Sequence, residues 1–197
     1  MVNVFAKFTD LFLKFTDLFG WTNSNVWIEI AKKNNGKYIQ GNIIKPTSLC
    51  FKYNSLDIIF DTFRRANDER GINTRIIINL NSNSNFKFKI RIKNSIYTPF
   101  VFFNKMKRIN IKNNITDKYI VVSNEENTII NLLKDNIIKD INKIDLFCIE
   151  LKTLARKNKK QLYIEYNGVI NDMDEFNSLY NLCISLIDNI SYKKDPC

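Results

Sequence analysis

A chain of 197 residues with 45% hydrophobic content and 15 Phe can bury a real core, which argues against disorder, and its net charge of +10 points to an anionic partner or serves solubility alone. The absence of histidine removes His-based triads, His metal ligands and the commonest general base. The four cysteines, Cys50, Cys148, Cys183 and Cys197, form no CxxC pair and no zinc-type spacing, so reduced thiols, a cytoplasmic setting and no metal or cofactor are expected.

Residues 7–12 and 14–19 repeat the hexapeptide Lys-Phe-Thr-Asp-Leu-Phe. On a helix this repeat sets Phe8, Phe12, Phe15 and Phe19 on one apolar stripe, with Thr, Asp and Lys opposite. An amphipathic N-terminal helix over 1–20 is therefore expected, serving to dock on its own domain, to self-associate or to lie on a membrane surface. Lys7, Asp10, Lys14 and Asp17 interrupt it, so neither a signal peptide nor a spanning helix is expected.

A single α+β domain should occupy 22–197. A short helix over about 25–33 comes first, then strands Ser48–Tyr53 and Leu56–Phe63 joined at Asn54-Ser55. Arg64 to Gly71 reads as a charged loop whose Arg64, Arg65, Asp68, Glu69 and Arg70 partner one another or water. Thr74–Leu80 is the next strand, and the polar turn Asn81–Asn85 should join it in a hairpin to the clearest period-two run of the chain, Phe86 to Lys93. There Phe86, Phe88, Ile90 and Ile92 share one face, and Lys87, Lys89, Arg91 and Lys93 share the other, which should be wet.

From Gly71 to Thr116 the chain carries nine Lys or Arg and no Asp or Glu. The expected anionic contact is accordingly Arg75, Lys87, Lys89, Arg91, Lys93, Lys105, Lys107 and Arg108, with Tyr97, Phe100, Phe102 and Phe103 nearby. Beyond it, Lys118–Val122 reads as a strand, and Ser123-Asn-Glu-Glu126 as a capping box opening a helix that runs to about Ile141. Strands Leu146–Leu154 and Gln161–Tyr166 follow, and Asn171 should cap a final helix. The fold class is therefore α+β: mostly antiparallel sheet over about 37–112, then strand–helix–strand–strand–helix.

Catalysis finds little support. The five glycines form no phosphate-cradling cluster, and Asp57 and Asp61 share a strand face too far apart to share a proton. Neither an enzyme nor a small-molecule ligand is expected.

Several short pieces carry a resemblance. They are Ile30-Ala31 with Gly36 and Gly41, Asp61 at a strand end, Thr74-Arg75-Ile76, the junction Lys118-Tyr-Ile-Val-Val-Ser-Asn124, and Gly168 to Asp172. In this order, over residues 27–190, the chain resembles an uncharacterised prokaryotic family of unknown function. Asn110–Thr116 stands where that family has a Gly-rich segment before the junction. The resemblance implies no established activity and no site residues.

The function expected is a non-catalytic binding or scaffold role, peripheral to an anionic membrane surface through the basic β face. Amphipathic helix and basic patch together can hold a protein where one signal cannot. The alternative is a nucleic-acid binder that uses the same cations for phosphates and the nearby aromatics for stacking.

Overall fold

The alternation of apolar and polar residues builds one antiparallel sheet. The computed structural model describes residues 24–42, 45–65, 71–82, 84–93, 106–111, 115–154 and 159–191. Within them the strands are β1 (Lys37–Ile39), β2 (Ser48–Tyr53), β3 (Leu56–Arg64), β4 (Ile72–Leu80), β5 (Phe88–Ile92), β6 (Lys107–Arg108), β7 (Tyr119–Ser123), β8 (Leu146–Leu154) and β9 (Lys159–Tyr166). The helices are α1 (Ser24–Lys33), α2 (Ile115–Lys118), α3 (Glu126–Leu132), α4 (Asp135–Lys143) and α5 (Met173–Ser191). The expected helix over 1–20, with Phe8, Phe12, Phe15 and Phe19, lies outside the described residues, as do Lys105 and the aromatics from Tyr97 to Phe103.

The nine strands run in the order β1-β2-β3-β4-β9-β8-β5-β7-β6, with every pairing antiparallel. The fold is α+β, as the sequence leads one to expect. One sheet face carries Phe60, Ile76, Ile164, Ile149, Ile90 and Val121, and these join a single buried cluster to which all five helices contribute. Trp27 of α1 is fully buried there and donates its indole N–H to Ile170 O at 3.0 Å. Among the described residues no helix is long and apolar enough to cross a membrane.

The expected β4–β5 hairpin does not form. β4 pairs with β9, and β5 pairs with β8 on one side and β7 on the other, so the β8–β9 hairpin is inserted between them. Three inter-strand steps span about 14 Å, and the seven residues from Asn81 to Lys87 reach about 23 Å when extended, so the connection crosses easily. Electrostatics favours the insertion. Direct pairing would set Arg75 of β4 in the same sheet neighbourhood as the cations of β5, and like charges on facing strands destabilise. The inserted strands instead place Glu165 opposite Arg75 and Glu150 opposite Lys89.

Two helix starts also differ from expectation. The helix after β7 breaks at Leu133-Lys134 into α3 and α4. On one continuous helix, at about 100° per residue, Ile138 would point roughly 180° away from Ile129. The break lets Ile129, Leu132, Ile137, Ile138 and Ile141 all reach the core. Ser123 does not cap α3, whose N-cap is Glu125 without a side-chain cap bond. The Ser123 hydroxyl instead lies 3.0 Å from Lys87 O and accepts the Glu125 N–H at 3.1 Å, locking the end of β7 onto β5. Ser123→Ala should therefore lower stability by about 1 kcal/mol in chemical denaturation. The Glu125 amide, losing its acceptor, should also exchange with solvent faster than in the parent. At α5 the cap is Asp172, not Asn171: Asp172 Oδ1 accepts the Glu175 N–H at 2.8 Å, and Glu175 Oε2 accepts the Asn171 N–H at 2.9 Å.

Candidate functional site

Because the helices join the core on one face, the chemistry of the sheet is concentrated on the other. Outward-facing residues of adjacent strands line up in rows. One row runs Asp61–Arg75–Glu165–Cys148–Arg91 across β3, β4, β9, β8 and β5. A second runs Ile59–Ile77–Tyr163–Glu150–Lys89–Val122–Arg108 and ends on β6.

From Asp61 to Glu165 the first row is a chain of satisfied charges. Arg75 grips Asp61 with two bonds, Nε to Oδ1 at 2.6 Å and Nη2 to Oδ2 at 2.8 Å. This bidentate contact fixes both groups and pushes the Arg75 pKa up. Glu165 accepts from Arg65 Nε at 3.1 Å and from the Tyr163 hydroxyl at 2.7 Å. Burial, with the Glu165 charge beside it, pushes the Tyr163 pKa up. A bulge between Leu146 and Cys148 turns Phe147 to this face, where the guanidinium of Arg65 lies 3.4 Å and that of Arg91 4.7 Å from its ring centroid. Cys148 is buried beside them, and burial pushes its thiol up to about 12, so it stays protonated and unreactive near neutrality.

The run 86–93 has the register its alternation calls for. Phe86, Phe88 and Ile90 are buried and Lys87 is exposed. Its cations are not an unopposed row, however. Lys89 is half-buried with its Nζ 3.6 Å from Glu150 Oε2, and Arg91 is half-buried on Phe147. Lys93 is half-buried just past the end of β5. The insertion of β8 accounts for this change, since it brings a carboxylate and an aromatic ring alongside β5.

Arg75 lies three strands from β5 and is committed to Asp61, so it does not join the basic run. Arg108 does. It sits on the same row as Lys89 across β7, about 10 Å away, and is exposed. Lys107, its neighbour on the edge strand, is exposed as well. Lys87, Lys107 and Arg108 make no ion pair among the described residues, in contrast to Arg65, Arg75 and Lys89 nearer the centre.

Sequence reasoning missed Glu165, Tyr163, Arg65 and Phe147. Glu165 was visible as a charge in the otherwise alternating strand 161–166, but its partner Arg65 is 100 residues away. Arg65, expected in a loop to partner its charged neighbours or water, pairs instead across the sheet with Glu165. Among the described residues no group of three His, Cys, Asp or Glu could hold a metal ion.

No family model and no curated protein matches the chain. In its fold it is similar to the crystal structure of the mycobacterial trehalose monomycolate transport factor A, TtfA, with a TM-score of 0.58 and 8% sequence identity over 85% of this chain and 93% of that one. At that identity the likeness concerns the fold alone. These findings agree with a resemblance limited to uncharacterised proteins.

Proposed function

We propose that the protein is a non-catalytic binding or scaffold domain that meets an anionic membrane surface through the β5–β7–β6 end of its sheet. The observation that carries this reading is the contrast in charge pairing across the outer face. Arg65, Arg75 and Lys89 near the centre each have a carboxylate, whereas Lys87 and Arg108 stand exposed at one end without one among the described residues; Lys107 is exposed at the same end but on the opposite face of the edge strand. An anionic surface relieves their mutual repulsion. Membrane surfaces suit lysine, a compact charge that needs no fixed fork geometry, better than bidentate phosphate readout does. The stripe Phe8, Phe12, Phe15 and Phe19 would add the second, apolar signal that stable peripheral attachment requires.

The test is a salt titration run in parallel on phosphatidylcholine vesicles containing phosphatidylserine, on duplex DNA and on single-stranded RNA. Vesicle binding that weakens with salt is expected. Lys87→Glu combined with Arg108→Glu should weaken it at least about 30-fold at low salt, from about 1 kcal/mol per basic residue near an anionic surface. Stability should move by less than about 0.5 kcal/mol, because both side chains are exposed and away from caps and core. A parent that binds DNA or RNA but not vesicles would establish the nucleic-acid alternative. A double variant that binds vesicles as the parent does would reduce this basic end to a solubility device.

A further inference from the structure

A buried ammonium stands directly behind the basic end. Lys160, the second residue of β9, is 3% exposed and is the only buried Lys or Arg among the described residues. Its backbone lies opposite Leu80 on one side and Thr153 on the other. Its Nζ donates to Phe86 O at 2.8 Å, reaching the connection that leads into β5.

That hydrogen bond belongs to a set. Asn124 Nδ2 donates to Asn85 O at 2.9 Å, and Asn124 Oδ1 accepts the Lys87 N–H at 2.7 Å. The Asn124 N–H donates to Lys87 O at 3.2 Å, and the Ser123 hydroxyl lies 3.0 Å from the same oxygen. The carbonyls of residues 85, 86 and 87, together with the Lys87 amide, are thus held from two directions: the β7–α3 junction and β9. This corner presents Asn85 and Lys87 to solvent, and Lys87 is the charged one.

Burying an ammonium is costly, and an apolar side chain of similar length would fill the same space at lower cost. Nor does a counter-ion explain it. Among the described residues the charged groups acting on Lys160 are the ammonium of Lys87, which repels it, and the carboxylate of Glu125, which attracts it without an ion pair within 4.0 Å. Burial and Lys87 together push the Lys160 pKa down. What the ammonium supplies that an apolar chain cannot is a donor for Phe86 O.

We propose that Lys160 and Asn124 are positioning residues for Lys87, holding the Asn85–Lys87 corner in its binding shape so that no backbone has to be ordered when the anionic surface is met. The proposal rests on the reading of the basic end as the membrane contact. Its physical basis is that a loose corner must lose backbone freedom on binding, and a clamped one already has.

The experiment measures affinity for the same phosphatidylserine-containing vesicles well below the unfolding midpoint, using the whole chain as parent, Asn124→Ala, Lys160→Met and Lys87→Gln. Asn124→Ala and Lys160→Met should each lose about tenfold in affinity. Asn124→Ala removes no charge, so it should keep the parent's salt dependence and at the same time speed hydrogen exchange of the Lys87 amide. Lys87→Gln should lose affinity with a shallower salt dependence. A parent that fails to bind the vesicles overturns the reading of the basic end itself. A parent that binds, with Asn124→Ala binding equally well despite faster Lys87 exchange, overturns only the positioning role. A loss confined to Lys160→Met also overturns it, because Lys160 would then act through its charge alone. Should Lys160→Met fail to fold, Asn124→Ala decides the question.

Discussion

Arg75→Ala should lower the folding free energy by about 3 kcal/mol, the low end of what removing one partner from a buried ion pair costs, because Asp61 is buried while Arg75 is half-buried. Asp61 is 6% exposed, and both its oxygens are occupied by the Arg75 guanidinium at 2.6 and 2.8 Å. Without Arg75 a carboxylate remains in a poorly solvated position on the β3–β4 pair, and the loss comes mainly from that stranded charge rather than from the bond itself. Asp61→Leu combined with Arg75→Met should therefore recover most of the loss, since no charge is left behind. Chemical denaturation of Asp61→Leu, Arg75→Met and the double, arranged as a mutant cycle, measures the coupling. A coupling below about 0.5 kcal/mol would mean that water reaches this pair freely. Vesicle affinity of the folded Arg75→Ala protein should equal the parent's, because Arg75 lies three strands from β5. Reading Arg75 as an anion contact, as the sequence suggests, leads to the opposite expectation.

Phe176→Ala should cost about 4 kcal/mol, in the middle of the range that aromatic truncation costs in a close-packed core. Phe176 is fully buried on the sheet-facing side of α5, with ring centroids 5.0 Å from Phe51, 5.4 Å from Phe60 and 5.4 Å from Tyr180. It therefore joins the last helix to β2 and β3 through several aromatic pairs, each worth up to about 1 kcal/mol beyond the area it buries. Phe176→Leu keeps most of the volume and should cost about 1.5 kcal/mol. The difference in denaturation midpoint between the two variants isolates the cavity from the change of chemistry. Equal midpoints would show that the neighbouring side chains collapse to fill the space.

The faces of the strands were legible in the sequence, and the neighbours of the strands were not. Ser48–Tyr53 and Leu146–Leu154 begin and end where their composition says, and the inward set Phe86, Phe88, Ile90 follows from alternation alone. Alternation fixes which side chains turn inward but says nothing about which strand lies alongside. Nearness in sequence suggested a β4–β5 hairpin; complementary charge argued for something else. Glu150 in the middle of β8 and Glu165 near the end of β9 meet the cations of β5 and β4. That signal was present in the sequence, spread over distant residues. The stacking of Arg65 and Arg91 on Phe147 was not legible, because it needs a bulge that no residue type announces. The basic end was legible only in part: Lys87, Lys107 and Arg108 are exposed as charge patterning implies, while the clamp around Lys87 depends on Ser123, Asn124 and Lys160 arriving from elsewhere in the chain.

The placement of β8 and β9 between β4 and β5 also constrains the order in which the molecule can be made. These two strands are the last of the nine to be synthesised, yet they occupy the middle of the sheet. On a ribosome adding about 5–20 residues per second, roughly 4–17 s pass between the completion of β4 and the completion of β9. During that interval β4 and β5 each present an unpaired backbone edge, the kind that invites pairing with another chain. The meander β1–β4 can zip up early through contacts close in sequence, but joining it to β5–β7 is a long-range event and correspondingly slow. The late hairpin acts as a keystone, and a chain cut short before Tyr166 is left with two half-sheets and no means of closing them.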